Sequence, residues 1–148
     1  MKAMLLAAML LMASGCSDIP RDAAGTLDRV RQTGSLRVGM VSDTDRLPVE
    51  AESNLIAQLA HETGSRPAIT RGSTEILLPK IEKGELDIVV GRFAPESPWS
   101  TRVTFLPAPE HMDAKKGEAA SAVAVRNGEN GWVTLIYKHT SNLPKAPQ

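Results

Sequence analysis

Between residues 35 and 91 the chain alternates stretches suited to a strand with stretches suited to a helix, joined by short connections, and this constrains the fold more than any other feature. Residues 35–41 (Ser-Leu-Arg-Val-Gly-Met-Val) alternate and then turn wholly apolar, as a strand entering a covered sheet does. After a polar loop over 42–52, Ser53 is placed to cap a helix carrying Leu55, Ile56, Leu59 and Ala60 at helical spacing, with Gly64 closing it. Residues 67–71 read as a second strand. Thr74 then caps a helix that turns Ile76, Leu77 and Ile81 inward and stops at Gly84, with Pro79 expected to kink or divide it. Residues 86–91 (Leu-Asp-Ile-Val-Val-Gly) form the third and most apolar strand. Strands separated by single helices call for right-handed parallel crossovers. The expected class is therefore α/β: a single open, mostly parallel sheet with helices on both faces.

The flanks extend this pattern. A short helix from Thr26, with Leu27 and Val30 on one face, leaves at Gly34, while residues 103–106 are extended. Residues 107–118 carry no apolar period and read as a loop, followed by a strand over 121–125 and a turn at Asn127-Gly128. A last helix over 129–139 puts Trp132, Leu135, Ile136 and His139 on one face, and residues 141–148 form a frayed tail. With only 3% aromatic residues the core is aliphatic, which argues against aromatic-lined sugar or nucleotide sites. Seventeen basic residues balance seventeen acidic ones, so there is no electrostatic footprint for nucleic acid or an anionic membrane surface.

Residues 3–13 are an uninterrupted apolar run after Lys2, too short to span a bilayer, which needs roughly 20 apolar residues. The run reads as a cleavable secretory signal over residues 1–15. Its end, Leu11-Met12-Ala13-Ser14-Gly15-Cys16, resembles the bacterial lipobox, in which a small residue precedes a cysteine that is lipidated and becomes the new N-terminus. Ala13 departs from the leucine which that pattern prefers. The alternative is an ordinary signal peptide that happens to contain a cysteine. A diacylglycerol and an acyl chain on Cys16 would anchor the protein permanently, at about 0.8 kcal/mol per buried methylene. Ser17 rather than Asp follows the cysteine, which the resemblance ties, in an enteric-type cell, to the outer membrane. Residues 16–24 then serve as a tether and 25–140 as one domain. Because Cys16 is the only cysteine, neither a disulfide framework nor a multi-cysteine metal site is available.

Catalytic patterns are absent from the sequence. His61, His111 and His139 lack metal-ligand spacing, no Gly-x-Gly-x-x-Gly follows the strands ending near Gly39 and Gly91, and no Gly-x-Ser-x-Gly occurs. The expectation is a protein that is not an enzyme and needs no cofactor. In an open parallel sheet ligands sit beyond the carboxyl ends of the strands, so the candidate ligand-binding residues are Ser42, Asp43, Ser73, Arg92, Phe93, Trp99 and Arg102. Each has a plainer reading: Arg92 as a solvated surface arginine, Trp99 as packing at the domain edge, Asp43 as a turn residue.

Three stretches in order, Thr26-Leu-Asp-Arg-Val-Arg-Gln-Thr-Gly-Ser-Leu-Arg-Val-Gly39, Ile76-Leu-Leu-Pro-Lys-Ile-Glu-Lys-Gly-Glu-Leu-Asp-Ile-Val-Val-Gly91 and Pro98-Trp…Arg102-Val-Thr-Phe-Leu-Pro107, resemble the N-terminal lobe of family 3 bacterial extracellular solute-binding proteins. These are the periplasmic or lipid-anchored receptors of amino-acid ABC transporters. The resemblance implies one lobe of a periplasmic-binding-protein type II fold, with a small polar solute as ligand and an ABC permease or another envelope protein as partner. In that family the chain crosses into a second lobe after the stretch matching residues 103–106, and here only the loop over 107–118 stands in its place. Ala122-Val-Ala-Val-Arg-Asn-Gly-Glu-Asn-Gly-Trp132 is similar to the family's closing strand and helix, which implies that the second lobe is deleted as a unit. The family's ligand hydroxyl and carboxylate-clamping arginine fall on Ala94 and Trp99, neither of which supplies the donor. Two further outcomes stay open: an interaction lipoprotein that uses the lobe as a scaffold, and a degenerate receptor remnant.

Overall fold

The computed structural model describes residues 22–42, 49–94, 96–108 and 117–141. The expected signal segment, Cys16, Asp43, His111 and the tail over 142–148 lie outside them. The elements are α1 (Thr26–Thr33), β1 (Ser35–Val41), α2 (Val49–Thr63), β2 (Arg66–Gly72), α3 (Thr74–Glu82), β3 (Ile88–Phe93), a 3-10 turn (Pro98–Thr101), β4 (Val103–Pro107), β5 (Ala120–Arg126) and α4 (Asn130–Thr140).

One sheet holds all five strands in the order β2-β1-β3-β5-β4. β1 pairs in parallel with β2 and β3, as two crossovers through α2 and α3 require. β5 runs against both of its neighbours, facing β3 from Val89↔Ala124 to Phe93↔Ala120 and β4 from Val103↔Arg126 to Pro107↔Ala122. Four strands thus share one direction and the reversed fifth lies between the last two of them. This agrees with the expected open α/β sheet, and it brings the strand expected over 121–125 into that sheet beside β3.

Alternation along the strands builds two cores. On one face Leu36, Val38, Ile88, Val90, Val123 and Val125 meet Val30 of α1, Leu55, Ile56 and Leu59 of α2, and Trp132 and Ile136 of α4. On the other, Val41, Val89, Phe93, Val103, Ala122 and Ala124 lie under Leu77, Leu78 and Ile81 of α3. That second face is tight. A Cβ on Gly91 would stand 2.6 Å from Val41 Cγ2 and 2.8 Å from Val41 Cβ. Gly91→Ala should therefore cost about 1–3 kcal/mol through overpacking, read as a lower urea midpoint at unchanged slope; an unmoved midpoint would show that the β1–β3 contact is slack.

Four local expectations are corrected. α2 begins at Val49 rather than behind a Ser53 cap, and Ser53 is an exposed residue inside it, because Ala51 and Glu52 already belong to the buried face. The cap of α3 is Ser73, whose carbonyl accepts from the Ile76 and Leu77 N–H groups at 3.1 and 3.0 Å. With the helix started there, the inward face is Leu77, Leu78 and Ile81, and Ile76 is 58% exposed. Pro79 does not divide α3. The intrahelical bond it cannot make falls on the carbonyl of Glu75, an exposed residue in the first turn.

β2 is an edge strand whose residues are exposed on both faces. The Arg66 N–H donates to the Gly34 carbonyl and the Ser42 N–H to the Gly72 carbonyl, both at 2.9 Å, so Pro67, Ile69 and Arg71 turn their backbone groups outward. Pro67 has no N–H to offer, and arginines flank the row, which blunts the edge against pairing with another chain.

At the end of the sheet where the parallel strands begin, two carboxylates tie the first helix to the last. Asp22 accepts from the Trp132 N–H at 3.0 Å and the Leu27 N–H at 3.2 Å. The fully buried Glu129 accepts from the Ala24 and Thr26 N–H groups at 2.6 and 2.8 Å. Each carboxylate serves N–H groups at the start of the other's helix, where the backbone leaves donors unpaired. Beside them the buried Asp87 carboxylate takes Nη2 of Arg37 and the Arg37 N–H, each at 2.7 Å, and also Nη2 of Arg29. Its carbonyl accepts the Trp132 indole N–H at 3.0 Å. Asp87 so joins α1, β1, β3 and α4.

Candidate functional site

The strands β1, β2, β3 and β4 all end at one rim, where β5 starts, and this rim is the place a ligand would occupy in an open parallel sheet. Ser42 follows β1 with its side chain exposed, and its N–H closes the ladder onto the Gly72 carbonyl. Ser73 follows β2, and its exposed hydroxyl makes no capping bond to α3, so it remains available at the rim. Arg92 points from β3 to the same end. It is half-buried, and its Nη2 donates to the Ala119 carbonyl at 2.5 Å, which fixes the segment leading into β5. Ser42, Ser73 and Arg92 are thus brought to one edge.

The other candidates separate from them. Phe93 ends β3 but is only 4% exposed, with its ring 4.8 Å from that of Phe105 in the core under α3. Trp99 is half-buried against the same core, and its N–H donates to the Ser97 hydroxyl at 3.3 Å. The Arg102 guanidinium lies 4.6 Å over the Trp99 ring and pairs with Glu82 through Nη2 at 2.5 Å and Nε at 3.2 Å. Arg102 immediately precedes β4, so this cluster stands toward the end of the sheet opposite the rim. Cation–π stacking and a carboxylate pair hold the guanidinium in place. Ala94, where the resemblance puts a ligand hydroxyl, directly follows β3.

A second polar group, not singled out by the sequence reading, lies in an open groove between α2 and α4 lined by Asn54, Ala57, Gln58, His61, Glu62 and His139. His139 Nε2 stands 2.5 Å from Glu62 Oε2 and its Nδ1 3.1 Å from Gln58 Oε1, while Lys138 Nζ is 3.5 Å from Glu62 Oε1. The hydrogen bond from His139 holds the Glu62 carboxyl below its ordinary range. Residues 58, 62 and 139 come from helices far apart in the chain, so only the i, i+4 spacing of Gln58 and Glu62 was visible beforehand. Among the described residues no group of three or more His, Cys, Asp or Glu side chains is placed to hold a metal ion, and no helix is long and apolar enough to cross a membrane.

No protein-family model matches the chain, and no curated protein matches it. Solved structures do. The arginine-bound form of domain 1 from TmArgBP aligns with a TM-score of 0.64 at 17% identity, over 78% of this chain and 98% of that one. An amino acid ABC transporter substrate-binding protein from Streptococcus pneumoniae bound to L-arginine gives 0.61 at 12% identity, over 78% and 90%. A truncated form (residues 20–233) of ArgBP from T. maritima, also arginine-bound, gives 0.54 at 12% identity, over 76% and 97%. At these identities the likeness concerns the fold alone. The chain has the fold of one lobe of a periplasmic binding protein, the architecture of arginine-binding and other amino-acid-binding receptors.

Proposed function

We propose that the chain is a lipid-anchored envelope protein built on a single solute-binding lobe related to amino-acid ABC transporter receptors, one that binds a small polar solute weakly or only together with a partner. The observation that carries the reading is β5: a reversed strand between β3 and β4 is how a chain returns to this lobe after leaving it, and here only the residues from 108 to 119 separate it from the end of β4. The comparisons support a loss of the second lobe. Of the truncated ArgBP, 97% of 214 positions is about 208 residues, whereas 76% of this 148-residue chain is about 112, so nearly half of that protein has no counterpart here. The lipobox-like segment ending in Cys16 supports anchoring, and Ser17 supports the outer membrane. Partners of the class expected are an ABC permease or another envelope protein. The reading includes no enzymatic activity.

Weak binding follows from donors more than from enclosure. Small-ligand sites bury about 70–90% of their ligand, which a lone lobe does poorly; yet domain 1 of TmArgBP by itself is described in an arginine-bound form. What this chain lacks is the expected hydroxyl and clamp, replaced by Ala94 and Trp99, while Arg92 and Arg102 are engaged by Ala119 and Glu82. Losing a charge-assisted bond removes roughly 1.5–3 kcal/mol. Affinity for free polar amino acids, arginine included, is then expected near the millimolar range, about −4.1 kcal/mol, rather than the micromolar, about −8.2 kcal/mol. Titration calorimetry on a soluble form starting at Ser17 decides this: micromolar binding of any common amino acid overturns the weak-binding reading. The interaction-scaffold alternative draws on the same engaged arginines and expects no saturable heat with any of them.

A further inference from the structure

We infer that, in the anchored protein, the rim bearing Ser42, Ser73 and Arg92 is held away from the bilayer and faces the aqueous compartment, so that its occupant is a water-borne solute or soluble partner and not a protein embedded in the anchoring membrane. The inference rests on the lipid anchor proposed above and adds the geometry of that anchor. Asp22 is fixed to the end of the sheet opposite the rim. Its carboxylate bonds the first turns of α1 and α4, and the neighbouring Ala23 N–H donates to the Gly128 carbonyl at 3.3 Å in the turn that follows β5. β5 ends there against Val103, the first residue of β4. The rim lies at the other end, beyond Val41, Gly72, Phe93 and Pro107.

From Cys16 to Asp22 the chain has six residue steps, which fully extended reach at most about 22 Å. A globular domain of this size has a radius of gyration near 13–14 Å and hence a diameter of about 35 Å. Turning the rim onto the bilayer would require the tether to run the whole length of the domain. Six steps fall short by about a third. The carboxylate caps at Asp22 prevent the domain from lending length to the tether unless the first turn of α1 is released.

The test uses the full chain, produced with its leader, purified in detergent and reconstituted into vesicles containing a headgroup-labelled quencher lipid. Lipidation blocks the thiol of Cys16, the only cysteine, so a single introduced cysteine carries the fluorophore. Asn130→Cys places it at the exposed first residue of α4, near Asp22, and Glu75→Cys places it at the exposed first turn of α3, at the rim end. The expected result is loss of most of the fluorescence at position 130 and little at position 75. Equal quenching, or more at 75, in protein that floats with the vesicles overturns the orientation and leaves the anchor standing. Protein that fails to float, like a Cys16→Ser control, overturns the anchor and the orientation with it. Inserting about fifteen Gly/Ser residues after Ser17, a flexible span of roughly 20 Å or more on average beyond the native tether, should bring the two signals together; a difference that survives the insertion would show that tether length is not its cause.

Discussion

A chain ending at Ala120 is expected to show no cooperative unfolding transition. The deletion takes β5 from between β3 and β4, leaving β4 without a strand partner and β3 with an open edge in the middle of the sheet. It also removes Ala122, Val123, Ala124, Val125, Trp132 and Ile136, all buried and divided between the two cores. At about 1.5–3 kcal/mol for each large side chain the loss reaches the order of 10 kcal/mol, comparable with the whole stability of a small domain. Circular dichroism followed through a urea titration reads the outcome. A sharp transition at the full-length midpoint would mean that the C-terminal segment is an appendage and that the rest forms a sheet of its own.

Trp132→Ala is the point substitution with the largest expected effect. The indole is fully buried between the sheet and α1, and its N–H meets the Asp87 carbonyl at 3.0 Å. Removing it costs about 3–5 kcal/mol, which lowers the melting temperature by roughly 15 °C in a domain of this size. Trp132→Phe separates the two contributions. It fills most of the volume but leaves the Asp87 carbonyl without its donor, for an expected loss of about 1–3 kcal/mol. If the phenylalanine variant were as unstable as the alanine one, the hydrogen bond rather than the packing would govern the site.

Much of this fold was legible because hydrophobic period is a local property. The strand segments and the order of crossovers follow from residues 35–91, and the fate of the C-terminal strand followed from the stretch ending at Trp132. What escaped depended on which turn of a helix comes first. Ile76 and Leu78 are equally apolar, and only the start of α3 behind Ser73 decides that Leu78 is buried and Ile76 exposed. The start of α2 was missed although Pro48, with Glu50 and Glu52 just beyond it, is a helix-opening pattern, because Ser53 offered a competing cap. Ser42, Ser73 and Arg92 were chosen by position, because ligands of open parallel sheets sit beyond strand ends, and the three do lie at one rim. Trp99 and Arg102 fell elsewhere because Arg102 meets Glu82, twenty positions earlier, at the exit of α3. Nothing local in the sequence announces that pairing. The Asp22 and Glu129 caps, joining residues more than a hundred positions apart, were beyond any local pattern.

The position of β5 also sets a timetable. The sheet is filled in its interior by the last strand to be made, and the contacts that secure α1 at Ala24 and Thr26 come from Glu129, 103 to 105 residues later. β1, β2 and β3 can associate early, but β4 has no strand to join until residue 126 is available. A topology dominated by such distant partners folds slowly relative to one built from neighbours. The sheet therefore stays open until β5 and α4, over residues 120–140, are available to close it.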